Sequence, residues 1–566
     1  IRMVPDEGQN GSNRSSTPRR STNAGGGGIG GGLGSLLPMI LGFLIKKPKL
    51  LLVVIALALL YWFTIGKNSG GNDMISQLAG FTTGAKFDPK LYDQAEVYEP
   101  LADNVKNPLP ERASLEAFCP PRMNQGQQGS CVAWASAYAA RTIVQAKATN
   151  ADPKSSAFSP SYLYNQIKID NSDCQGSYIF RAMDTMLKGG ALPFSKFGYT
   201  DQNCSKQPTA EEKQQALPYR IKGFQRLTLG ADEQRTDMLA MKQQLSQGSP
   251  IVIGMMVGGT FMRGMEGQDV WIPTDADYEQ RGFGGHAMCV VGYDDYKFGD
   301  TGGFQIMNSW GPEWGNNGLA WLPYPVFDYF AKEAYAVYPQ GEGVDEKPTV
   351  MDIQFGFIDN ATKKNIPLRN IGGNVFRSTT PIAKGAEFKI EVTNNAECYT
   401  YVFGQEVDGR TYVLFPYTPK HSPYCGITGT RLFPNDYSLK ADDEGTVDVM
   451  AILITNQPFD YPKLNEAMLA STAQGLDAKL NEVLGSELAM DVRYTDGQTI
   501  GASSSPHART RCAVLLSRPR TFMDRGLRQD RARRRGAPPS RASPLPRRSR
   551  PRRRSRAPAT PRRGGP

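Results

Sequence analysis

The stretch Gln125-Gly126-Gln127-Gln128-Gly129-Ser130-Cys131, followed by the Ala-rich run Val132 to Ala148, decides how the rest of the chain is understood. It predicts a glycine-rich turn that delivers a cysteine to the first position of a helix. A helix N-terminus offers unpaired N–H groups and the positive end of the macrodipole, and both favour a thiolate over a thiol. Gln125, six positions upstream, can bring an amide N–H to the place where the oxygen of an attacked carbonyl needs a donor. Taken alone, the stretch is equally a structural turn before a core helix with a buried cysteine.

Histidine separates these readings. The chain has three, His286, His421 and His507, and only His286 lies within two hundred residues of Cys131. It sits in Gly284-Gly285-His286-Ala287-Met288-Cys289-Val290-Val291-Gly292-Tyr293, a strand-like apolar run opened by glycines. A further 22 positions on comes Asn308-Ser309-Trp310-Gly311. A cysteine nucleophile needs a base to take its proton, and the base needs a partner to fix its tautomer. Cys, His and Asn in that order, with the last two close together, is the papain-type arrangement. From about Leu109 to Pro339 the chain resembles the papain family of cysteine peptidases, whose oxyanion-hole glutamine also precedes its cysteine by six residues.

The resemblance implies an α+β fold of two lobes, one helical and one a β-barrel, with the site in the groove between them. It assigns Cys131 as nucleophile, His286 as base and Asn308 as the group that orients the imidazole. Gln125 and the Cys131 backbone N–H become the oxyanion donors. Gly129, Gly176, Ser177, Gly285, Ala287 and Trp310 become the substrate-binding positions, Trp310 also covering the His–Asn hydrogen bond. A polypeptide is the implied substrate, and no cofactor or metal is called for. Departures from the family pattern bear on specificity. Gln128 and Val132 replace a cysteine and a tryptophan of the family's Cys-Gly-Ser-Cys-Trp, Cys174-Gln175-Gly176-Ser177 stands for Cys-Asn-Gly-Gly, and Gly285 replaces an Asp or Asn. The disulfide that anchors the family's active-site loop is thereby lost, and Cys204 is the expected new partner of Cys174. Sequence separation also pairs Cys398 with Cys425 and leaves Cys131 free. Cys119 and Cys512 have no assignment, and Cys289 is expected in a buried strand.

Outward from this core, 566 residues suffice for two or three domains. Residues 1–34 are polar, basic and Gly-rich, which predicts a disordered tail. Within 35–66, Leu36–Ile45 and Leu50–Ile65 are apolar, split by Lys46-Lys47-Pro48-Lys49. That pattern predicts a single N-terminal transmembrane helix. Basic residues cluster on its N-terminal side, so the N-terminus is expected in the cytoplasm and the peptidase in the periplasm or outside the cell, as in a bacterial inner-membrane protein. Residues 67–108 form a linker or a short pro-segment, with a stalk preferred. Residues 109–340 are the peptidase. Residues 341–501 alternate β-branched and aromatic segments with turns such as Asp408-Gly409, which predicts a β-sandwich-like accessory domain similar to an uncharacterised β-domain of bacterial surface enzymes.

Residues 502–566 carry 20 Arg, no Lys and 2 Asp, more positive charge than the whole chain's net of +10, so the remainder is net acidic. The segment is expected to be a disordered Arg/Pro tail, or the product of a shifted reading frame. No nucleic-acid partner is expected, and the overall basicity carries no functional weight. Two further functions stay open: an inactive papain-like binding or adhesion module, and a cell-wall amidase using the same nucleophile.

Overall fold

The computed structural model describes residues 2–5, 82–102, 105–169, 174–230, 235–338, 351–441, 444–488, 492–495, 500–504 and 511–519. The segment expected to cross a membrane, 35–66, lies outside them. Among the described residues no helix is long and apolar enough to cross a membrane.

The peptidase region is built around the helix that Cys131 begins. It runs as Cys131–Ala133, continues through a π-helical stretch Trp134–Arg141, and finishes as Thr142–Thr149 before Asn150 turns left-handed at φ 55°. Every residue from Cys131 to Val144 is buried. A helix covered on all sides must lie at the centre of its lobe. Alanines 133, 135, 137, 139 and 140 let the neighbours approach closely. Those neighbours include Pro160–Ile167, whose start is capped by Ser159 Oγ accepting from the Tyr162 N–H at 3.0 Å, and Ile179–Gly189. The second lobe is an antiparallel sheet with strands in the order Phe224–Arg226, Ala331–Val337, Ile251–Val257, Gly284–Phe298, Thr301–Met307 and Leu319–Pro323. A short strand, Arg112–Ser114, pairs with the Gly284–Phe298 strand, and a 3₁₀ turn follows it. One continuous apolar core joins both lobes.

Residues 341–501 were expected as a sandwich, and two sheets do face each other there. Phe355, Phe357, Phe388 and Phe433 on one meet Phe376, Val402, Phe415 and Ile452 on the other. Two helices, Tyr461–Ala470 and Leu476–Leu484, cover the outer face of the second sheet over Tyr401, Phe403 and Leu453. Two strands fall in segments expected to be tails. Arg511–Pro519 pairs along its whole length with Val447–Thr455, and Arg2–Pro5 pairs with Tyr437–Lys440.

The largest correction concerns residues 67–108, for which a stalk was preferred. The described part is packed, not extended: Ala85, Tyr92, Ala95, Tyr98 and Leu101 belong to the peptidase core. Asp88 caps a short helix, Pro89–Tyr92. Beyond it the chain forms a strap between the peptidase and the accessory domain. On the peptidase side, buried Arg226 pairs with Asp93 at 2.8 Å and its backbone oxygen accepts from Tyr98 N–H at 3.1 Å. On the other side, Val97 N–H donates to Lys420 O, Ser422 N–H to Val97 O and Ala102 N–H to Thr430 O, at 2.6, 3.0 and 2.8 Å. Apolar side chains spaced through this segment, with both neighbours offering unpaired strand edges, explain why it is drawn in.

Candidate active site

The helix that opens at Cys131 packs against the strand that carries His286, so two local motifs 155 positions apart meet at the lobe boundary. His286 Nε2–H donates to Asn308 Oδ1 at 2.7 Å, which leaves Nδ1 as the lone-pair nitrogen and without a hydrogen-bond partner. Trp310 stacks on the imidazole, with centroids 4.3 Å apart and planes inclined by 26°. That indole keeps water from the His–Asn bond. Against burial, the amide of Ala287, the residue after His286, draws the Cys131 thiol down, so nucleophile and base share the lobe boundary.

Gln125 is fully buried and held on three sides. Its Oε1 accepts from Ser309 Oγ at 2.6 Å, its backbone oxygen accepts from Tyr199 OH at 2.6 Å, and Nε2 donates to Gln128 O at 2.9 Å. Ser309 and Tyr199 are thus positioning residues to which the sequence reading gave no role. Ser309 sat within the quoted Asn-Ser-Trp-Gly; nothing local marked Tyr199. The missing family disulfide is replaced by hydrogen bonds, since Gln128 Nε2 reaches the Thr200 and Asn203 carbonyls, each at 3.3 Å. Next to them, Cys204 is joined to Cys174 by a disulfide. Gly129 N–H donates to Cys174 O at 2.9 Å, so the turn before Cys131 is laced to that bridge.

The cleft is occupied by the chain itself. Thr82 O accepts from both Gln125 Nε2, at 2.9 Å, and Trp310 Nε1, at 3.2 Å. Gly84 and Ala85 N–H groups donate to Gly285 O, at 3.2 and 3.0 Å, Lys86 N–H donates to Ser177 O, and Ser177 N–H donates to Gly84 O, the last two at 2.9 Å. The Phe87 ring lies over Gly254 and Gly285, where a Cβ would collide with it. Gly84 faces Gly129 and Gly176 so closely that its own Cβ would fall 2.1 Å from Gly129 O. Gly129, Gly176, Ser177, Gly285, Ala287 and Trp310 therefore converge on one groove, and Thr82–Phe87 fills it. The Gly84 and Ala85 amides lie near enough to the Cys131 sulfur to draw its thiol down against burial.

The same burial corrects the expectation of a thiolate. Desolvation pushes the Cys131 thiol up to about 11, against the pull of the Ala287, Gly84, Val132 and Ala85 amides. It pushes His286 down to about 4, opposed by the Asn308 hydrogen bond. In the occluded form the pair is neutral thiol and neutral imidazole, because removing water disfavours both charges. Cys398 and Cys425 lie in the accessory domain and take no part in the site. His421 Nδ1 meets Thr418 Oγ1 at 3.1 Å, and among the described residues no cluster could hold a metal ion.

The description "Papain family cysteine protease" matches residues 111–334, and a domain of unknown function matches residues 382–458. An uncharacterised peptidase C1-like protein of Acanthamoeba polyphaga mimivirus is 31% identical over 212 residues, covering 36% of this chain and 64% of that protein. Mouse cathepsin K is 26% identical over 266 residues, covering 46% of this chain and 73% of the cathepsin. Among solved structures, xylellain, a cysteine protease from Xylella fastidiosa, aligns with 23% identity over 46% of this chain and 97% of its own, at a TM-score of 0.38. The papain family of cysteine proteases is thus the family that residues 111–334 match, with the domain of unknown function following it in the chain.

Proposed function

We propose that this chain is a papain-like cysteine endopeptidase present in a latent form, with Thr82–Phe87 as the segment that occludes it. The observation that carries the reading is the His286–Asn308 bond at 2.7 Å beneath Trp310, beside a cysteine at a helix start. A binding scaffold has no physical need for that set. Once the segment withdraws, water re-enters, the sulfur's proton passes to His286 Nδ1, and the thiolate–imidazolium pair becomes stable at the helix N-terminus. Cys131 then attacks a substrate carbonyl. The oxyanion forms where Thr82 O now sits and receives Gln125 Nε2–H. His286 gives its proton to the leaving amine, and water, deprotonated by the same imidazole, hydrolyses the thioester and releases the acid.

The test is stoichiometric labelling of the full chain by an epoxide thiol reagent, before and after limited proteolysis within 67–107, in wild type and His286→Ala. Labelling at Cys131 that rises on cleavage and is lost in His286→Ala supports the proposal. Labelling indifferent to both changes would leave a cleft that binds but does not cut, and the module reading would replace this one.

Anchoring through 35–66, with a cytoplasmic N-terminus and the peptidase periplasmic or extracellular, is a separate proposal. It requires Arg2–Pro5 to leave its ladder with Tyr437–Lys440. Carbonate extraction of membranes decides it: retention of the full chain supports a span, and release refutes it.

A further inference from the structure

Cys398 and Cys425 are nucleophilic side chains that the site chemistry does not use. They face each other on the antiparallel pair Cys398–Gln405 and Tyr424–Cys425, in direct register. Both are buried, and where a disulfide was expected between them both stand as free thiols. Thr400 Oγ1 lies 3.5 Å from Cys425 Sγ. Directly opposed residues on such strands hold their Cβ atoms about 4.5–5.5 Å apart, and a disulfide needs about 3.5–4.5 Å, so a small local closure joins them.

A buried cation stands beside the pair. The Arg431 guanidinium donates to Glu99 O, Asn394 Oδ1 and Ile427 O, at 3.2, 2.8 and 3.1 Å, all of them uncharged oxygens. The Cys398 side chain and Arg431 together draw the Cys425 thiol down, against its burial. A thiolate facing a thiol is the reactive half of a dithiol. The Cys174–Cys204 bridge of the same chain is the internal reference for oxidation of this pair.

We propose that Cys398 and Cys425 form a reversible disulfide that fixes the strap's seat on the accessory domain. Cys425 thiolate attacks one sulfur of a small disulfide such as glutathione disulfide and expels a thiolate. Cys398 then loses its proton and attacks the Cys425 sulfur of the mixed disulfide, expelling the second thiol. Two electrons pass to the small disulfide, which leaves as two thiols. Because the pair is buried, exchange takes place as the domain folds or when the strap lifts. The new bond closes a loop that includes Lys420 and Ser422, the partners of Val97. Tying that loop to the sheet makes the strap harder to peel away, and with it Thr82–Phe87; this consequence rests on the occlusion reading above.

The experiment equilibrates the full chain in glutathione buffers of graded ratio, alkylates free thiols in denaturant, and maps the peptides by mass. In parallel, hydrogen exchange is read at the Val97 and Ala102 amides. The expected result is a Cys398–Cys425 link that forms and reverses with the buffer, together with about tenfold slower exchange at both amides in the linked form. Full alkylation of both cysteines in buffers where Cys174–Cys204 is linked overturns the disulfide. A link that leaves both amides unchanged overturns its effect on the strap. Neither readout needs a working Cys131, so a failure of the peptidase reading is separately visible.

Discussion

Gly84→Leu is the substitution that most directly interrogates occlusion. A Cβ at this position would lie 2.1, 2.5 and 2.7 Å from the O, C and Cα of Gly129. All three are backbone atoms of the turn that delivers Cys131, so neither side can give way and the segment must leave the groove. Six hydrogen bonds hold Thr82–Lys86 in place. At about 1 kcal/mol net each they contribute ~6 kcal/mol, and burial of Ala85 and Phe87 adds ~3 kcal/mol. Ordering six residues opposes this by roughly 6 kcal/mol. The closed form is then favoured by about 3 kcal/mol, a ratio near a hundredfold. Gly84→Leu is expected to raise the second-order rate of Cys131 alkylation by an epoxide reagent about a hundredfold at neutral pH. The pH profile should move with it. The closed-form sulfur, held near 11, and imidazole, held near 4, are both neutral between those values. Relieving desolvation lowers the first and raises the second, so the variant should react well into mildly acidic buffer where the wild type does not. An unchanged rate and profile in a variant with an intact circular dichroism spectrum would refute the occlusion argument.

Three further outcomes follow from the same geometry. In the Gly84→Leu background, Gln125→Ala removes the side-chain oxyanion donor, and peptide hydrolysis should fall about 10²–10³-fold in kcat with little change in epoxide labelling; equal loss in both would contradict the role. Trp310→Ala deletes the ring stacked on His286 and packed against Phe261 and Trp314, and denaturant unfolding should show about 3–5 kcal/mol lost. Burial pushes the Glu99 carboxyl up to about 8, opposed by the Tyr417 hydroxyl. Its folded-state pKa lies above its unfolded one, so its contribution is complete below the unfolded value and is lost as pH rises toward 8. Hydrogen exchange at Val97 and Ala102 should therefore quicken between pH 5 and 9, and Glu99→Gln should flatten that dependence. Identical profiles in wild type and variant would exclude Glu99 as the cause.

The chemistry of the site was legible because it is written in short motifs. A Gly-rich turn before a helix needs only local conformation to expose Cys131, and Asn308-Ser309-Trp310 lies on one turn after a strand. Alternation likewise marked residues 341–501 as a β-domain, where Thr411–Phe415 and Val447–Thr455 are strands. Ser309's grip on Gln125 was not legible, because the hydrogen bond spans 184 positions. The strap was missed for a similar reason: Asp93, Val97 and Leu101 look like linker residues until Arg226, Lys420 and Gln243 are brought beside them.

The sequence by itself determined which atoms are available for catalysis, since the nucleophile, base, orienting amide and oxyanion donor are properties of residue type and local spacing. Tertiary structure alone decided their state. Whether Cys131 is thiol or thiolate depends on how much water reaches it, and that is set by Thr82, which meets Trp310 across 228 positions. Solvation and long-range hydrogen bonding are properties of the packed chain, so no motif records them.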